Sequence, residues 1–377
     1  MLTGGAWSRR CGGRCPPCPP RKIGVEEELM LVDPTTGQLT AVSQSAVLAN
    51  EAPEEVGHEL FLQQIETSTP PCERAEDLLV GLRAGRRAVG EAAAAAGARA
   101  VAMATPVLAE QDEHFTPKSR YRQIQAEYGE MARQSLVCAM HMHVDVASDA
   151  EAVRVVDGIR PWLPLLVALG ANSPYWQGRD TGHASWRSQV WSRWPTAGPA
   201  QPFGDVATYR AVSEQMLGWG AGLDAGMLYF DVRLAADYPT VEIRVADVCT
   251  DVEDALLVAL LARALVATVA ADPTRPTWRG DLLQVAGWRA ARHGLAGDLV
   301  HPVEARLAPA REVFEATVEH CREALRESGD LDRVSASFER LVATGTGATR
   351  QRRVLESAGS LRAVVEDLAR RTEESWA

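Results

Sequence analysis

Five short segments of the chain alternate apolar and polar residues with a period of two, which predicts strands with one buried face. These segments are residues 23–32, 60–69, 140–146, 228–234 and 240–245. The last two are separated only by the residues Ala-Ala-Asp-Tyr-Pro, which predicts an antiparallel hairpin. The alternation therefore predicts a sheet with an apolar back and a polar front.

Longer segments carry apolar residues at three- and four-residue spacing, the pattern of helices with one buried side. They are residues 75–96, 121–134, 150–171, 206–217, 252–270, 303–327 and 349–371. The composition does not change abruptly after residue 22, so residues 21–377 are predicted to form a single domain. Residues 1–20 are rich in cysteine, proline and glycine and are predicted to be a disordered extension, because their cysteines lack a fourth zinc ligand. Together the two periodicities predict an α+β fold.

The polar fronts of the predicted strands carry carboxylates, imidazoles and guanidiniums, and no lysine. The acidic and imidazole residues are Glu26, Glu28, Glu66, His141, His143, Asp145 and Glu242. Carboxylates crowded on one face raise each other's pKa, and divalent cations such as Mg²⁺ or Mn²⁺ would relieve the repulsion. The alternative interpretation is a set of solvated strand faces whose charges are paired with Arg233 and Arg244.

One acidic residue does not fit the alternation. Glu27 falls on the apolar side of its strand, between Glu26 and Glu28. A carboxylate there needs an arginine partner or a bulge in the strand, because an uncompensated charge is costly to bury. The sequence therefore predicts a special arrangement at Glu27.

The composition excludes several function classes. A formal net charge of −11 disfavours a nucleic-acid partner. Lysine occurs only at Lys22 and Lys118, so a P-loop lysine and a Schiff-base lysine in the folded body are not expected. The longest apolar run, residues 256–271, is interrupted by Arg263, and the first residues lack the apolar core of a signal peptide. Scattered cysteines are typical of a reducing compartment, so a cytoplasmic protein with no membrane span is predicted.

Arginines in three further motifs are candidates for binding phosphate or carboxylate, since the guanidinium can contact either group through two hydrogen bonds. Arg187 ends a polar segment predicted as a long loop, residues 172–187, and Arg289 and Arg292 lie in the sequence WRAARHGL. Arg350 and Gln351 follow Gly-Thr-Gly at 345–347, which taken alone indicates a turn and a helix cap.

Seven stretches of the sequence resemble, in order and spacing, the type 2 glutamate–cysteine ligases, also called carboxylate–amine ligases, which are related to glutamine synthetase. The stretches are GVEEELMLVDPTTG, QIETSTPPC, CAMHMHVDV, NSPYWQGRDTGHASWR, TVEIRVADV, WRAARHGL and GTGATRQRR. The resemblance runs from about residue 23 to the C-terminus. It implies a curved antiparallel sheet shaped as a half-funnel, with the active site on the concave face and helices on the outer face.

The resemblance also implies a reaction and its participants. ATP would phosphorylate the side-chain carboxylate of L-glutamate, and the amine of L-cysteine would displace phosphate from the acyl phosphate. The implied metal ligands are Glu26, Glu28, Glu66, His141, His143 and Glu242. Arg187, Arg244 and Arg292 are the candidates for phosphate or glutamate contacts, and Arg289, Arg350 and Gln351 for nucleotide binding.

Alternatives remain open from the sequence. Another amine could replace cysteine, because nothing in the motifs marks a thiol pocket. His141 and His143 form a His-x-His pair. Such a pair also binds metal in metal-dependent amidohydrolases, although in those enzymes it lies near the N-terminus. A non-catalytic binding protein is disfavoured, because it would not need so many acidic residues on one face. The expected partners are small molecules, neither nucleic acid nor membrane, with a homo-oligomer allowed.

Overall fold

The computed structural model describes residues 20–49, 56–109, 114–272, 274 and 278–376. Its strands are β1 (Ile23–Val32), β2 (Val56–His58), β3 (Gln64–Ser68), β4 (Arg99–Val101), β5 (Ala139–Asp145), β6 (Tyr175–Trp176), β7 (Arg179–Asp180), β8 (Val232–Leu234), β9 (Thr240–Asp247), β10 (Leu299–Val300) and β11 (Leu307–Ala308). Residues 1–19 lie outside the described part, so the predicted extension and domain division stay predictions.

Helices fill most of the remaining chain. They are α1 (Ser43–Ala49), α2 (Ala75–Ala95), α3 (Ser119–Arg133), α4 (Asp149–Ile159), α5 (Leu163–Leu169), α6 (Trp186–Trp191), α7 (Val206–Gly218), α8 (Val252–Ala271), α9 (Gly280–His293), α10 (Ala310–His320), α11 (Arg322–Glu327), α12 (Leu331–Thr344), α13 (Gly347–Ala358) and α14 (Leu361–Glu374).

The main sheet is antiparallel and has the strand order β2-β3-β1-β5-β9-β8, with β4 paired to the end of β1. The first strand of the chain is therefore central. The predicted hairpin is confirmed, because Arg233 of β8 pairs with Glu242 of β9.

The register shows why one face is apolar. Ile23, Val144 and Val241 form one row across β1, β5 and β9, and Val25, Met142 and Ile243 form the next. These side chains are buried in one hydrophobic core with residues of α2, α4, α5 and α8. The predicted packing of helices on the apolar back of the sheet is confirmed.

Glu27 has the arginine partner that its position requires. Its carboxylate accepts two hydrogen bonds from the guanidinium of Arg86 on α2, at 2.8 and 2.6 Å. Both side chains are fully buried, and Arg86 also donates to the carbonyl oxygens of Cys249 and Thr250. The charge is therefore compensated by a buried ion pair that ties α2 to β1.

Three predicted helices differ from the structure for local reasons. Residues 150–171 are interrupted after Ile159, where Pro161 and Pro164 come close together. Residues 349–371 are divided at Gly359, which ends α13 in the left-handed conformation. In the segment 303–327 the helix begins only at Ala310, seven residues after the start that the apolar spacing predicts. Helices α1, α6, α9 and α12 were not predicted.

Among the described residues, α8 is the one helix long and apolar enough to cross a membrane by length and composition. It lies in the hydrophobic core and is mostly buried, which is typical of a core helix in a folded domain. Cys72, Cys138, Cys249 and Cys321 are buried free thiols, as expected for small core residues.

Candidate active site

The front of the sheet carries a group of three carboxylates that we call the acidic cluster, formed by Glu28, Glu59 and Glu66. Each offers an oxygen, and the three oxygens lie within 4.8 Å of one another. Glu28 on β1 stands directly opposite Glu66 on β3, and one Glu28 oxygen accepts a hydrogen bond of 2.7 Å from the amide of Ala139. Like charges directly opposite each other destabilise a pair of strands.

The pKa values of the acidic cluster show how unfavourable this crowding is. Burial, with the charge of Glu59, raises the pKa of Glu28 to about 8. Burial, with the charges of Glu26 and Glu59, raises the pKa of Glu66 well above its ordinary value. The pKa of Glu59 is also raised, mainly by burial. In the absence of a cation, these carboxyl groups therefore retain protons at higher pH than usual.

A second group, which we call the mixed cluster, consists of Glu26, His143 and Glu242. It too offers three ligand atoms within 4.8 Å of one another. His143 Nε2 lies 3.6 Å from Glu26 Oε2, and His143 Nδ1 lies 3.1 Å from the hydroxyl of Thr240. His143 stands between Gly24 of β1 and Glu242 of β9 in the sheet, so the strand register itself assembles the cluster.

Positive charge surrounds the mixed cluster. Arg233 donates two hydrogen bonds to Glu242, at 2.7 and 3.2 Å, and Arg244 donates to it as well. Burial opposes ionisation, but Arg244 and Arg233 hold the pKa of Glu242 far below its ordinary value. Burial likewise opposes the ionisation of Glu26, whose pKa His143 and His141 nevertheless hold well below its ordinary value.

His141 lies between the two clusters. Its Nδ1 is 3.4 Å from Glu26 Oε2, and its Nε2 is 3.9 Å from Glu28 Oε1. Burial, with the nearby charge of Arg244, lowers the pKa of His141 to about 4, so the imidazole is neutral at pH 7. A neutral imidazole has a lone pair available for a metal ion.

The donor set fits divalent cations. Carboxylate oxygens are the preferred ligands of Mg²⁺, and Mn²⁺ also accepts imidazole. Within the described part of the chain, Nε2 of His141 and Nε2 of His143 are buried without a hydrogen-bond partner. Two groups of three ligand atoms, one all oxygen and one with an imidazole, are therefore available on one face.

Two buried arginines stand beside these clusters. Arg187 and Arg244 have their guanidinium carbons 5.5 and 5.8 Å from the ring centroid of Trp191, and Arg187 donates to the carbonyl oxygen of Arg244 at 2.9 Å. The charges of both arginines lower the pKa of Glu28 and partly offset its burial. Arg187 lies in the first turn of α6 rather than in the long loop predicted from the sequence.

A buried carboxylate on β9 holds the segment before Arg187. Asp247 accepts hydrogen bonds from the amide of Asn172 and from the hydroxyls of Ser173 and Ser185, at 2.6 to 2.9 Å. The hydroxyl of Ser173 in turn accepts from the amide of Arg187. The sequence Asn-Ser-Pro at 172–174 therefore serves to position Arg187.

Strand β9 is irregular at the point where it passes the site. Met140 pairs with Ala246 and Met142 with Ile243, so two residues of β9, Arg244 and Val245, face the one residue His141. Such a bulge changes the direction of side chains next to it and is common beside active sites. Here both Arg244 and Val245 line a cavity.

This cavity has a volume of about 600 Å³. Arg187, Trp191, Tyr229, Asp231 and Arg244 line it on the side of the sheet, and residues of α5 and α9 line it on the other side. Burial raises the pKa of Asp231 to about 6, against the opposing effect of Arg187. The two arginines belong both to the cavity and to the surroundings of the acidic cluster.

The structure places the remaining predicted residues elsewhere. Arg350 is paired with Asp254 and donates to the carbonyl oxygen of Gly345, and Gln351 donates to Asn172. Arg289 donates to the carbonyl oxygen of Asp298. Each of these three side chains donates to a group within the protein, and none of the three belongs to the carboxylate clusters.

The Gly-Thr-Gly motif forms a helix cap, since the hydroxyl of Thr346 accepts from the amide of Thr349 at the start of α13. Arg292, on the last turn of α9, lies against Gly182. The motif and Arg292 therefore border the segment that carries Arg187.

Two residues of the site were missed from the sequence. Glu59 stands just after β2, a strand of three residues that is too short to show a period of two. The signal that could have revealed it was an acidic residue immediately before the apolar start of the segment 60–69. Asp231 lies in the alternating segment 228–234, but its position in a cavity depends on α5 and α9, which contribute lining residues from other parts of the chain.

Comparison with known proteins bears on the family and the fold. The sequence profile of the glutamate–cysteine ligase family 2 matches residues 22–367. The chain belongs to this family. A relative from Nocardioides sp. is 49% identical over 371 residues, covering 94% of this chain and 97% of its own length. A relative from Streptomyces coelicolor is 45% identical over 371 residues, covering 94% of this chain and 99% of its own. Both are named glutamate–cysteine ligase 2 as a provisional assignment.

Solved structures of ligases share the fold. The glutamate–cysteine ligase of Francisella tularensis, in complex with AMP, matches 96% of this chain and 90% of its own with a TM-score of 0.71 and 13% identity. A bifunctional glutathione synthetase from Pasteurella multocida matches 95% of this chain and 53% of its own, with a TM-score of 0.70 and 16% identity. The predicted half-funnel sheet with outer helices is confirmed. Membership of glutamate–cysteine ligase family 2 supports carboxylate–amine ligation as the class of reaction.

Proposed function

We propose that the protein is an ATP-dependent ligase that joins the side-chain carboxylate of L-glutamate to an amine and releases ADP and phosphate. The observation that carries the proposal is the pair of three-ligand clusters on one sheet face, flanked by Arg187 and Arg244, in a member of glutamate–cysteine ligase family 2. The family name gives L-cysteine as the expected amine, and another amine is the second candidate.

Divalent cations, when bound at the two clusters, would neutralise the phosphates of ATP and the glutamate carboxylate during phosphoryl transfer. Glu28, Glu59 and Glu66 would hold one cation, and Glu26, His143 and Glu242 another, with His141 between them. Mg²⁺ and Mn²⁺ are the proposed ions.

The protein's own groups fix this geometry. The amide of Ala139 orients Glu28, Arg233 and Arg244 orient Glu242, and the hydroxyl of Thr240 orients the ring of His143. Among the described residues, the Nε atoms of Arg187 and Arg244 are buried without a hydrogen-bond partner and are available to a carboxylate or phosphate oxygen. Transfer would give a glutamyl acyl phosphate, whose phosphate the amine displaces, so no side-chain nucleophile is required.

The test is ADP release in the presence of glutamate, Mg²⁺ or Mn²⁺ and a panel of amines. Hydroxylamine belongs in the panel, because this small nucleophile captures an acyl phosphate as a hydroxamate. We expect hydroxamate that depends on ATP and on glutamate together. A protein that binds Zn²⁺ tightly and hydrolyses amides without consuming ATP would instead be the amidohydrolase suggested by the pair His141 and His143.

A further inference from the structure

The cavity beside the acidic cluster bears on the identity of the amine. Arg187 and Arg244 line the cavity and their charges also act on Glu28, so these two arginines connect the cavity with the acidic cluster. The far side of the cavity is formed by the turn before α5 and by α9. A molecule lying in the cavity would therefore have one end at these two arginines and its other end against these helices.

The guanidinium of Arg160, just before α5, also lines the cavity. Arg160 is 3% exposed, and its Nε and Nη1 donate to the carbonyl oxygens of Asp157 and Ala200. Its Nη2 is buried without a hydrogen-bond partner in the described part of the chain. An unsatisfied buried donor is costly, and a carboxylate on a bound molecule would satisfy it.

Two acidic residues line the cavity among the described residues: the half-buried Asp231, and the exposed Asp281, which is paired with Arg279. Asp231 is held next to β9 by a backbone hydrogen bond, in which the amide of Arg244 donates to the Asp231 carbonyl oxygen. A carboxylate in this position attracts an ammonium group. Burial raises its pKa to about 6, which suits a group that takes up a proton near neutral pH.

The rest of the wall is largely apolar. Leu163 and Val167 of α5 face Leu283, Val285 and Trp288 of α9. Val285 and Trp288 are 58% and 46% exposed, although both are apolar. A cavity of about 600 Å³ with such walls falls within the ~300–1,000 Å³ typical of pockets for ligands considerably larger than cysteine. The short side chain of cysteine would leave most of this surface in water.

We propose, on the basis of the function proposed above, that the cavity binds the amine substrate and that this amine carries a carboxylate and a bulky apolar or aromatic group. Asp231 receives the ammonium group, the walls of α5 and α9 cover the apolar group, and Arg160 binds the carboxylate.

The joining step requires only the amine, Asp231 and the departing phosphate to transfer its protons. The ammonium group gives one proton to Asp231, and the lone pair of the resulting amine attacks the carbonyl carbon of the glutamyl phosphate. The new C–N bond forms as the C–O bond to phosphate breaks, and phosphate leaves with the electron pair. The extra proton on the new amide nitrogen passes to the departing phosphate.

The experiment compares four nucleophiles with the wild-type protein, ATP, glutamate and Mn²⁺: hydroxylamine, L-cysteine, L-phenylalanine and phenethylamine, which lacks the carboxylate. We expect kcat/KM for phenylalanine to exceed that for cysteine at least ~10-fold, because even one methylene in an apolar pocket is worth about that much. Phenethylamine should also react at least ~10-fold less well than phenylalanine. If the protein forms hydroxamate but its kcat/KM for cysteine equals or exceeds that for phenylalanine, this inference is overturned and the proposed function stands. Absence of hydroxamate would overturn both.

Two variants test the walls of the cavity. Trp288→Ala, at the exposed rim, should lower kcat/KM for phenylalanine at least ~5-fold more than for cysteine. Arg160→Gln should remove the advantage of phenylalanine over phenethylamine. Trp219→Ala is the matched control, because Trp219 is 77% exposed and lies outside the cavity, and all rates should stay as in the wild type. If Trp288→Ala lowers kcat/KM for phenylalanine and for cysteine by the same factor, the cavity does not bind the apolar group.

Discussion

The two clusters on the front of the sheet contain similar ligands but opposite electrostatics. In the acidic cluster, Glu28 is surrounded by other carboxylates, and burial raises its pKa to about 8. In the mixed cluster, Glu242 is held by Arg233 and Arg244, which keep its pKa far below the ordinary value. The mixed cluster is therefore electrostatically satisfied by the protein alone, whereas the acidic cluster depends on a cation.

This difference separates stability from activity. A residue of the mixed cluster stabilises the fold whether or not a metal ion is bound, because its charge has partners within the protein. A residue of the acidic cluster destabilises the metal-free fold and contributes only when a cation is present. Each prediction below tests one side of this contrast.

The largest effect is expected for Glu242→Gln in the metal-free protein. The substitution leaves the buried guanidinium of Arg244 and the partly buried guanidinium of Arg233 without their anionic partner. Breaking a buried ion pair by removing one member costs about 3–5 kcal/mol. Urea unfolding in the presence of a chelator measures the loss. A variant as stable as the wild type would show that the arginines do not depend on Glu242.

The opposite result is expected for Glu28→Gln, which is the matched comparison. Glutamine retains an oxygen that can accept the hydrogen bond from the amide of Ala139, and it removes a buried carboxyl group that must be protonated in the folded protein. The metal-free protein should become about 1 kcal/mol more stable. Activity should fall at least ~100-fold, since changes behind a metal ligand already cost ~10–100-fold. ADP release as a function of Mg²⁺ concentration measures this, and parental metal dependence would contradict it.

The raised pKa of Glu28 also predicts a pH dependence with a definite sign. The carboxyl group is protonated in the folded protein up to about pH 8 but ionises near its ordinary pKa when unfolded. Its contribution to stability is therefore complete at low pH and is lost as the pH rises towards 8, by about 1 kcal/mol per pH unit. Melting temperatures of the metal-free wild type between pH 5 and 9 should fall more steeply than those of Glu28→Gln. Mn²⁺ should reduce the difference, and equal slopes would refute the prediction.

The smallest effect is expected for Arg187→Lys. Arg187 lines the cavity, and its charge acts on Glu28 of the acidic cluster. Lysine preserves the charge but loses the planar group that lies against Trp191 and can make two hydrogen bonds. Activity should fall about 10-fold, equivalent to ~1.4 kcal/mol in transition-state binding. Arg311→Lys is the control, because Arg311 lies on α10 and is exposed. Unchanged kinetics of Arg187→Lys would exclude Arg187 from substrate binding.

Most of the sheet could be predicted because its strands have one buried face. The period of two in β1, β5 and β9 placed Glu26, His143 and Glu242 on the same side, and the register brings them together. The unusual position of Glu27 in the same pattern indicated an arginine partner or a bulge. That the partner is Arg86 depends on how α2 packs, which no local pattern contains.

The rest of the site could not be predicted for the same kind of reason. The bulge in β9 is visible only once β5 is paired with it, so the orientation of Val245 towards the cavity was not predictable. The family resemblance implied nucleotide binding by Arg350 and Gln351, whereas the Gly-Thr-Gly motif before them indicated only a turn and a helix cap. Whether an arginine binds substrate or a buried aspartate such as Asp254 is decided by tertiary packing.

The central position of β1 has a consequence for the synthesis of the protein. Glu28 leaves the ribosome 111 residues before its neighbour Ala139, and the end of β9, at Asp247, follows later still. At ~5–20 residues per second, the last of these strands follows the first by roughly ten to forty seconds. Throughout that interval the repelling carboxylates of β1 keep the nascent strand hydrated and oppose its pairing with another chain. The carboxylates proposed to bind the metal ions would thus also protect the growing polypeptide from aggregation.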